Sequence, residues 1–279
     1  VFDIDFSKRN GYTMVTIKAD IISGMLKGAF FMRSNAVSLP SSSIQNLPDF
    51  TLPVRPRRKK EVRDPYDGLR PWSAITHGIG AVLSAVGTVA LLLRSVALGS
   101  ALDFWVFLIY GLSMTGLYTA STLYHCVNTS VAGRIALRKY DHCSIYLLIA
   151  GSYTPVCLLG LKNSGGAALL AVVWAVGLLG MILTIAKLSI PRWLTSAIYL
   201  FMGWLAIFAI VPLHRSLPAA GFAWLLAGGL LYTVGGVLYA AKWPGRNNPR
   251  FGCHEIFHLF ILLGSIAHFV MMYTVIAFL

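Results

Sequence analysis

The sequence predicts an all-α membrane protein, a seven-transmembrane helix bundle preceded by a largely disordered tail. Three observations carry this. The 279 residues are 57% hydrophobic, with a mean hydropathy of +0.70. Only 12% of them are charged, about half the usual soluble fraction. From Trp72 onward, apolar stretches of about 20 residues, each long enough to span a bilayer, recur seven times.

Residues 1–70 stand apart as a basic tail. They hold seven of the ten acidic residues and twelve of the twenty-three Lys and Arg. They include Ser-Leu-Pro-Ser-Ser-Ser at 38–43, the run Arg55-Pro56-Arg57-Arg58-Lys59-Lys60 and Asp-Pro-Tyr-Asp-Gly at 64–68. Tyr12 to Ile22 alternates weakly, as a short strand does. Apolar runs here are short and broken by charge, so no signal peptide is expected. The tail is expected to be mostly disordered and cytoplasmic.

The membrane domain, 71–279, is expected to hold spans at 72–95, 102–125, 140–161, 166–186, 194–213, 219–241 and 252–278. The intervening segments carry turn or charge signals: Leu98-Gly99-Ser100, Asn128 to Lys139, Lys162 to Gly166, Ser189 to Arg192, His214 to Pro218 and Lys242 to Arg250. The Gly and Ala content of the spans suits close helix packing in lipid.

Loop charge sets the expected orientation. The side that receives the tail carries Arg134, Arg138, Lys139, Lys187, Arg192, Lys242, Arg246 and Arg250, eight cations; the other carries Arg94, Lys162 and Arg215, three. Basic loops stay in the cytoplasm, so the N-terminus is expected inside and the C-terminus outside. The net charge of +13 is thus read as topogenic. The polybasic run at 55–60 fits a stop for translocation better than a grip on anionic lipid. No aromatic-basic interleaving points to nucleic acid.

That topology gathers the polar residues. After residue 70 only Asp103, Asp141 and Glu255 are acidic. Span 2 ends inward at His125, span 3 begins there with Asp141-His142, and span 7 begins there with His254-Glu255-Ile256-Phe257-His258. Histidines four apart on a helix share a face, about 40° from each other. Ser121 shares the face of His125 in the same way. Taken singly these residues have ordinary readings. His254 and His258 suit interfacial side chains reaching to headgroups, His125 an interfacial cap, and Asp141 a carboxylate facing a helix dipole. Their convergence favours a functional site, because titratable groups in a membrane segment are costly.

Three imidazoles with a hydroxyl and a carboxylate nearby suit a catalytic zinc ion. Zinc takes nitrogen and oxygen ligands and, when catalytic, keeps a fourth position for water, whose pKa it lowers to about 7. Asp141 is placed to accept that proton and Ser121 to hydrogen-bond nearby. His142 is read as peripheral, His77 as a packing or hydrogen-bonding residue near the same end, and His214 as a loop residue. His268, ten residues past His258, lies about 15 Å farther along the helix, too far for the same ion. His-Glu-x-x-His is also the zincin fingerprint, with Glu255 as general base, so an intramembrane metalloprotease competes. Cys126, Cys143, Cys157 and Cys253 contain no C-x-x-C spacing and are read as reduced small residues.

These motifs, Ser121-Thr122-Leu123-Tyr124-His125, Asp141 followed by Gly151-Ser152-Tyr153-Thr154-Pro155, and His254 to His258 with Ala267-His268-Phe269, resemble the hemolysin III branch of the progestin and adiponectin receptor family. The resemblance covers about residues 70 to 279. It implies a seven-helix bundle in the bacterial inner membrane, with zinc held by His125, His254 and His258 near the cytoplasmic face and Ser121 and Asp141 as the neighbouring polar pair. It also implies a ceramidase-like activity on membrane lipids, as in receptor relatives. Receptor relatives carry another polar residue at the position of Glu255, which argues against an essential protease role. The expected function is zinc-dependent hydrolysis of a lipid amide or ester. The alternatives are a haemolysin-like pore or sensor with structural zinc, and the metalloprotease.

Overall fold

The computed structural model describes residues 2–9, 12–19, 69–186, 192–245, 248 and 250–279. In the tail, β1 (Phe2–Arg9) pairs antiparallel with β2 (Tyr12–Ala19), from Phe2 opposite Ala19 to Arg9 opposite Tyr12. The alternation noted from Tyr12 belongs to β2. β1 was not anticipated, although the sequence places Asn10-Gly11 between the strands, a strong hairpin signal. The expected disorder elsewhere in the tail, including the basic run at 55–60, lies outside the described residues.

Among the described residues eight helices follow: α1 (Pro71–Ala97), α2 (Ala101–Cys126), α3 (Val131–Pro155), α4 (Gly166–Ile185), α5 (Arg192–Trp204), α6 (Ile210–Ser216), α7 (Ala219–Ala241) and α8 (Cys253–Thr274). They make seven segments long and apolar enough to cross a membrane, the third being α3 with a π turn over Val156–Gly160 and the fifth being α5, a 3₁₀ stretch and α6. The protein is a multi-pass membrane protein.

The packing is that of a bundle in lipid. On α1 the buried stripe is Ser73, His77, Gly80, Ser84, Gly87, Thr88, Leu91 and Ser95, while Val82, Leu83, Val86, Val89, Leu93 and Val96 are exposed. Polar and small residues face inward and aliphatic ones outward, the reverse of a water-soluble helix. Lipid tails solvate leucine and valine, whereas hydroxyls need protein partners and small residues let backbones approach. A Cβ on Gly80 would lie 2.6 Å from the Tyr118 ring, so glycine is what lets α1 sit on α2 there.

Two helix boundaries depart from the expectation. α3 begins at Val131, nine residues before the expected start at 140, so Arg134, Arg138 and Lys139 lie on a helix instead of in a loop. Ser130 caps it by accepting from the Gly133 N–H at 3.2 Å, and Arg134 is buried with its guanidinium donating to the Tyr124 carbonyl. In the fifth span the α-helix gives way to 3₁₀ over Leu205–Ala209. Pro212 has no N–H for the Phe208 carbonyl and its ring crowds that group, which breaks the regular ladder. His214, expected in a loop, sits exposed on α6 with its ring 4.9 Å from Phe222.

Candidate metal centre

The end of α2 and the start of α8 meet at one end of the bundle, and Asp141, expected at a helix start, lies ten residues inside α3 because that helix begins at Val131. His125, His254 and His258 are all buried, and each offers a ligand atom within 4.8 Å of the others. His125 Nε2 and His254 Nε2 face each other at 3.2 Å. Nitrogens bound to one tetrahedral zinc at about 2.0–2.1 Å lie about 3.3 Å apart, so this pair is spaced as co-ligands are. His258 Nδ1 lies 3.4 Å from the Ser73 carbonyl oxygen. A carbonyl can only accept, which favours the tautomer with its proton on Nδ1 and leaves the other nitrogen for an ion. Among the described residues, Nδ1 of His125 and of His254 have no hydrogen-bond partner. Facing Nε2 atoms can share at most one proton between neutral rings, whereas an ion between them would satisfy both as ligands. By spacing, burial and donor type the triad fits zinc.

Ser121 and Asp141 line a cavity of about 720 Å³ together with His254 and His258. Ser121 is buried, and its hydroxyl interacts with the Asp141 carboxylate. The cavity walls are largely apolar, with Leu117, Leu148, Ile149, Val156, Ile207 and Ile261 among them. His142 lines the same cavity, and its carbonyl accepts from the Tyr199 hydroxyl at 3.1 Å. His268 reaches the cavity at its far end beside Tyr232, apart from the triad as helix geometry requires. The four cysteines are free thiols, with Cys253 buried and Cys126 exposed.

Glu255, the acid of the zincin-like motif, is committed to structural partners. It is 1% exposed. Its Oε1 accepts from Arg70 Nη1 at 2.7 Å and from the Ser73 hydroxyl at 3.2 Å, and its Oε2 accepts from the Gly252 N–H at 2.8 Å, closing the first turn of α8. A carboxylate held in this way is not poised as the general base of a metalloprotease. Arg70, counted in the sequence among the charges of the tail, is a buried ion-pair partner inside the membrane domain.

Sequence reasoning missed several residues around the site. Ser73 gives no signal, because its contact with His258 is through the backbone. By contrast His77, read from the sequence as a packing or hydrogen-bonding residue near this end, does pack there, its ring stacked on His258 at a centroid distance of 3.7 Å; among the described residues neither of its ring nitrogens has a hydrogen-bond partner. Deeper in the bundle the Tyr118 hydroxyl donates to Ser265 at 2.7 Å, and Tyr232 shares a hydrogen bond with the same Ser265 hydroxyl at 2.8 Å. This chain of hydroxyls joins α2, α8 and α7.

The fold and site define a class: a membrane protein of seven spanning segments with three buried histidines, two of which, His254 and His258, line an apolar cavity. The haemolysin-III-related family matches residues 71–269, and the chain belongs to that family. It is 43% identical over 197 residues to the Hemolysin-3 homolog of Bacillus subtilis (strain 168), covering 71% of this chain and 89% of that protein. Hemolysin-3 of Bacillus cereus is 40% identical over 193 residues, covering 69% of this chain and 85% of that protein. More distantly, the Adiponectin receptor protein of Drosophila melanogaster is 30% identical over 150 residues, covering 47% of this chain and 33% of that protein. The relation to the progestin and adiponectin receptors thus extends beyond the bacterial relatives.

Proposed function

We propose that this protein is a zinc-dependent membrane hydrolase that cleaves a lipid amide or ester. The observation that carries the reading is the opening of the histidine end of the bundle onto a cavity of about 720 Å³ whose walls suit an acyl chain. Zinc held by His125, His254 and His258 would supply Lewis acidity and acidify a water molecule. The remaining work falls to this chain. The apolar walls take up the lipid chain from the side of the bundle and set its carbonyl near Ser121 and Asp141. Asp141 removes the proton of the attacking water and returns it to the departing nitrogen or oxygen, and the Ser121 hydroxyl donates to the oxygen that gains charge. The site belongs at the cytoplasmic face of a bacterial inner membrane, with the N-terminus inside, on the strength of the loop charges.

Purified protein in mixed micelles, given lipid amides and esters with fluorescent acyl chains, should release the labelled fatty acid, and chelation should stop it. Absence of hydrolysis with zinc bound would reject the reading. The names of the Bacillus relatives favour one competitor, a lytic or sensory membrane protein with purely structural zinc. Such sites have four protein ligands, whereas among the described residues no fourth His, Cys, Asp or Glu joins the triad. Red-cell lysis that persists in Asp141→Ala would favour that competitor.

A further inference from the structure

The three histidines come from α2 and α8, and something must set the separation of those two helices to the precision a metal requires. We propose that the first turn of α1, through Arg70 and Ser73, is the positioning element of the metal centre. This inference rests on the metal reading above.

One short segment reaches every ligand-bearing part of the site. The Arg70 N–H donates to the His125 carbonyl at 3.0 Å, holding the end of α2. The Arg70 guanidinium grips Glu255 at 2.7 Å, the residue that follows His254. Three residues on, the Ser73 hydroxyl donates to the same Glu255 oxygen at 3.2 Å. The Ser73 carbonyl stands 3.4 Å from His258 Nδ1. Segments 182 to 185 residues apart in sequence are thereby tied at one point.

The chemistry of the tie supports a positioning role over a purely stabilising one. Arg70 is 7% exposed and Glu255 1%. A buried ion pair contributes little net stability once desolvation is counted, but losing one partner strands a charge and forces the neighbourhood to rearrange. The neighbourhood here is His254 on one side and the His125 backbone on the other. Partners of this kind, one shell out from a metal, orient the ligands, and their loss typically weakens metal binding about 10–100-fold. The role also explains the acid in His254-Glu255-Ile256-Phe257-His258. About 100° around the helix from His254, Glu255 points to α1 and serves the ligands without touching the ion.

The test uses the full chain in detergent, stripped of metal and titrated with Co²⁺, whose visible spectrum reports coordination. Arg70→Met and Glu255→Gln should each weaken Co²⁺ binding about 10–100-fold and alter its ligand-field bands, with helical content unchanged. Arg70→Lys should recover part of the loss. The double variant should lose little more than either single one, since the pair acts as a unit. Single variants with wild-type affinity and spectrum would overturn the proposal. Should Arg70→Met fail to fold, Ser73→Ala carries the test: a few-fold loss of affinity is expected, and wild-type binding overturns it. Wild-type protein that takes up no Co²⁺ or Zn²⁺ would instead sink the metal reading itself.

Discussion

His125 and His254, 129 residues apart in the chain, point their Nε2 atoms at each other across 3.2 Å inside a membrane bundle. Imidazole nitrogens brought this close from separate helices are held by the fold, and the fold spends two buried polar rings and a third, His258, to make the arrangement.

Asp141 interacts with Ser121, four residues before His125 on α2, and is not part of the ligand group. Asp141→Ala should therefore keep its zinc and lose lipid hydrolysis by about 10²–10⁴-fold, the usual worth of a general acid–base. Metal analysis and a fluorescent lipid-amide assay on the same sample check this. Loss of zinc in the variant would make Asp141 a ligand, and full activity would remove it from the chemistry.

Glu255→Gln separates the lipid hydrolase from the metalloprotease. Since Glu255 is bonded to Arg70, Ser73 and Gly252, its amide variant should regain most lipid hydrolysis when zinc is supplied in excess of its weakened affinity. Rates measured across a zinc titration decide. A variant dead at saturating zinc would reinstate Glu255 as the general base.

Gly80→Val tests the packing of α1 on α2. A Cβ there meets Tyr118 at 2.6 Å, so the added side chain must push the ring aside and disturb its hydrogen bond to Ser265. A loss of about 1–3 kcal/mol is expected, in the range for overpacking a close contact. Thermal unfolding in detergent measures it, and an unchanged midpoint would show that the helices are free to part.

The proposed orientation, with the N-terminus inside, rests on loop charge and is checked by reporter fusions. A periplasm-active enzyme fused after Leu279 should be active, and the same enzyme fused in the loop after Ala241 should not. The opposite pattern would turn the metal site to the outer face.

Much of this was legible in the sequence. The span positions follow from apolar runs that lipid demands, and the triad follows from a four-residue spacing combined with an alternating topology. What escaped did so for physical reasons. The charges of Arg134, Arg138 and Lys139 read as loop, yet the Ser130 cap and burial of Arg134 against Tyr124 extend α3 through them. Arg70 looked like one more topogenic cation, because its partner Glu255 lies 185 residues away. Ser73 meets His258 through a carbonyl, which every residue type possesses and no sequence pattern marks.

Metal stoichiometry and zinc-edge X-ray absorption on the purified full chain decide whether His125, His254 and His258 hold a zinc ion. About one zinc per protein is expected, with three nitrogen ligands at about 2.0–2.1 Å and one oxygen, and its loss in His125→Ala. A chain that binds no metal, or that binds zinc undiminished without His125, would contradict it.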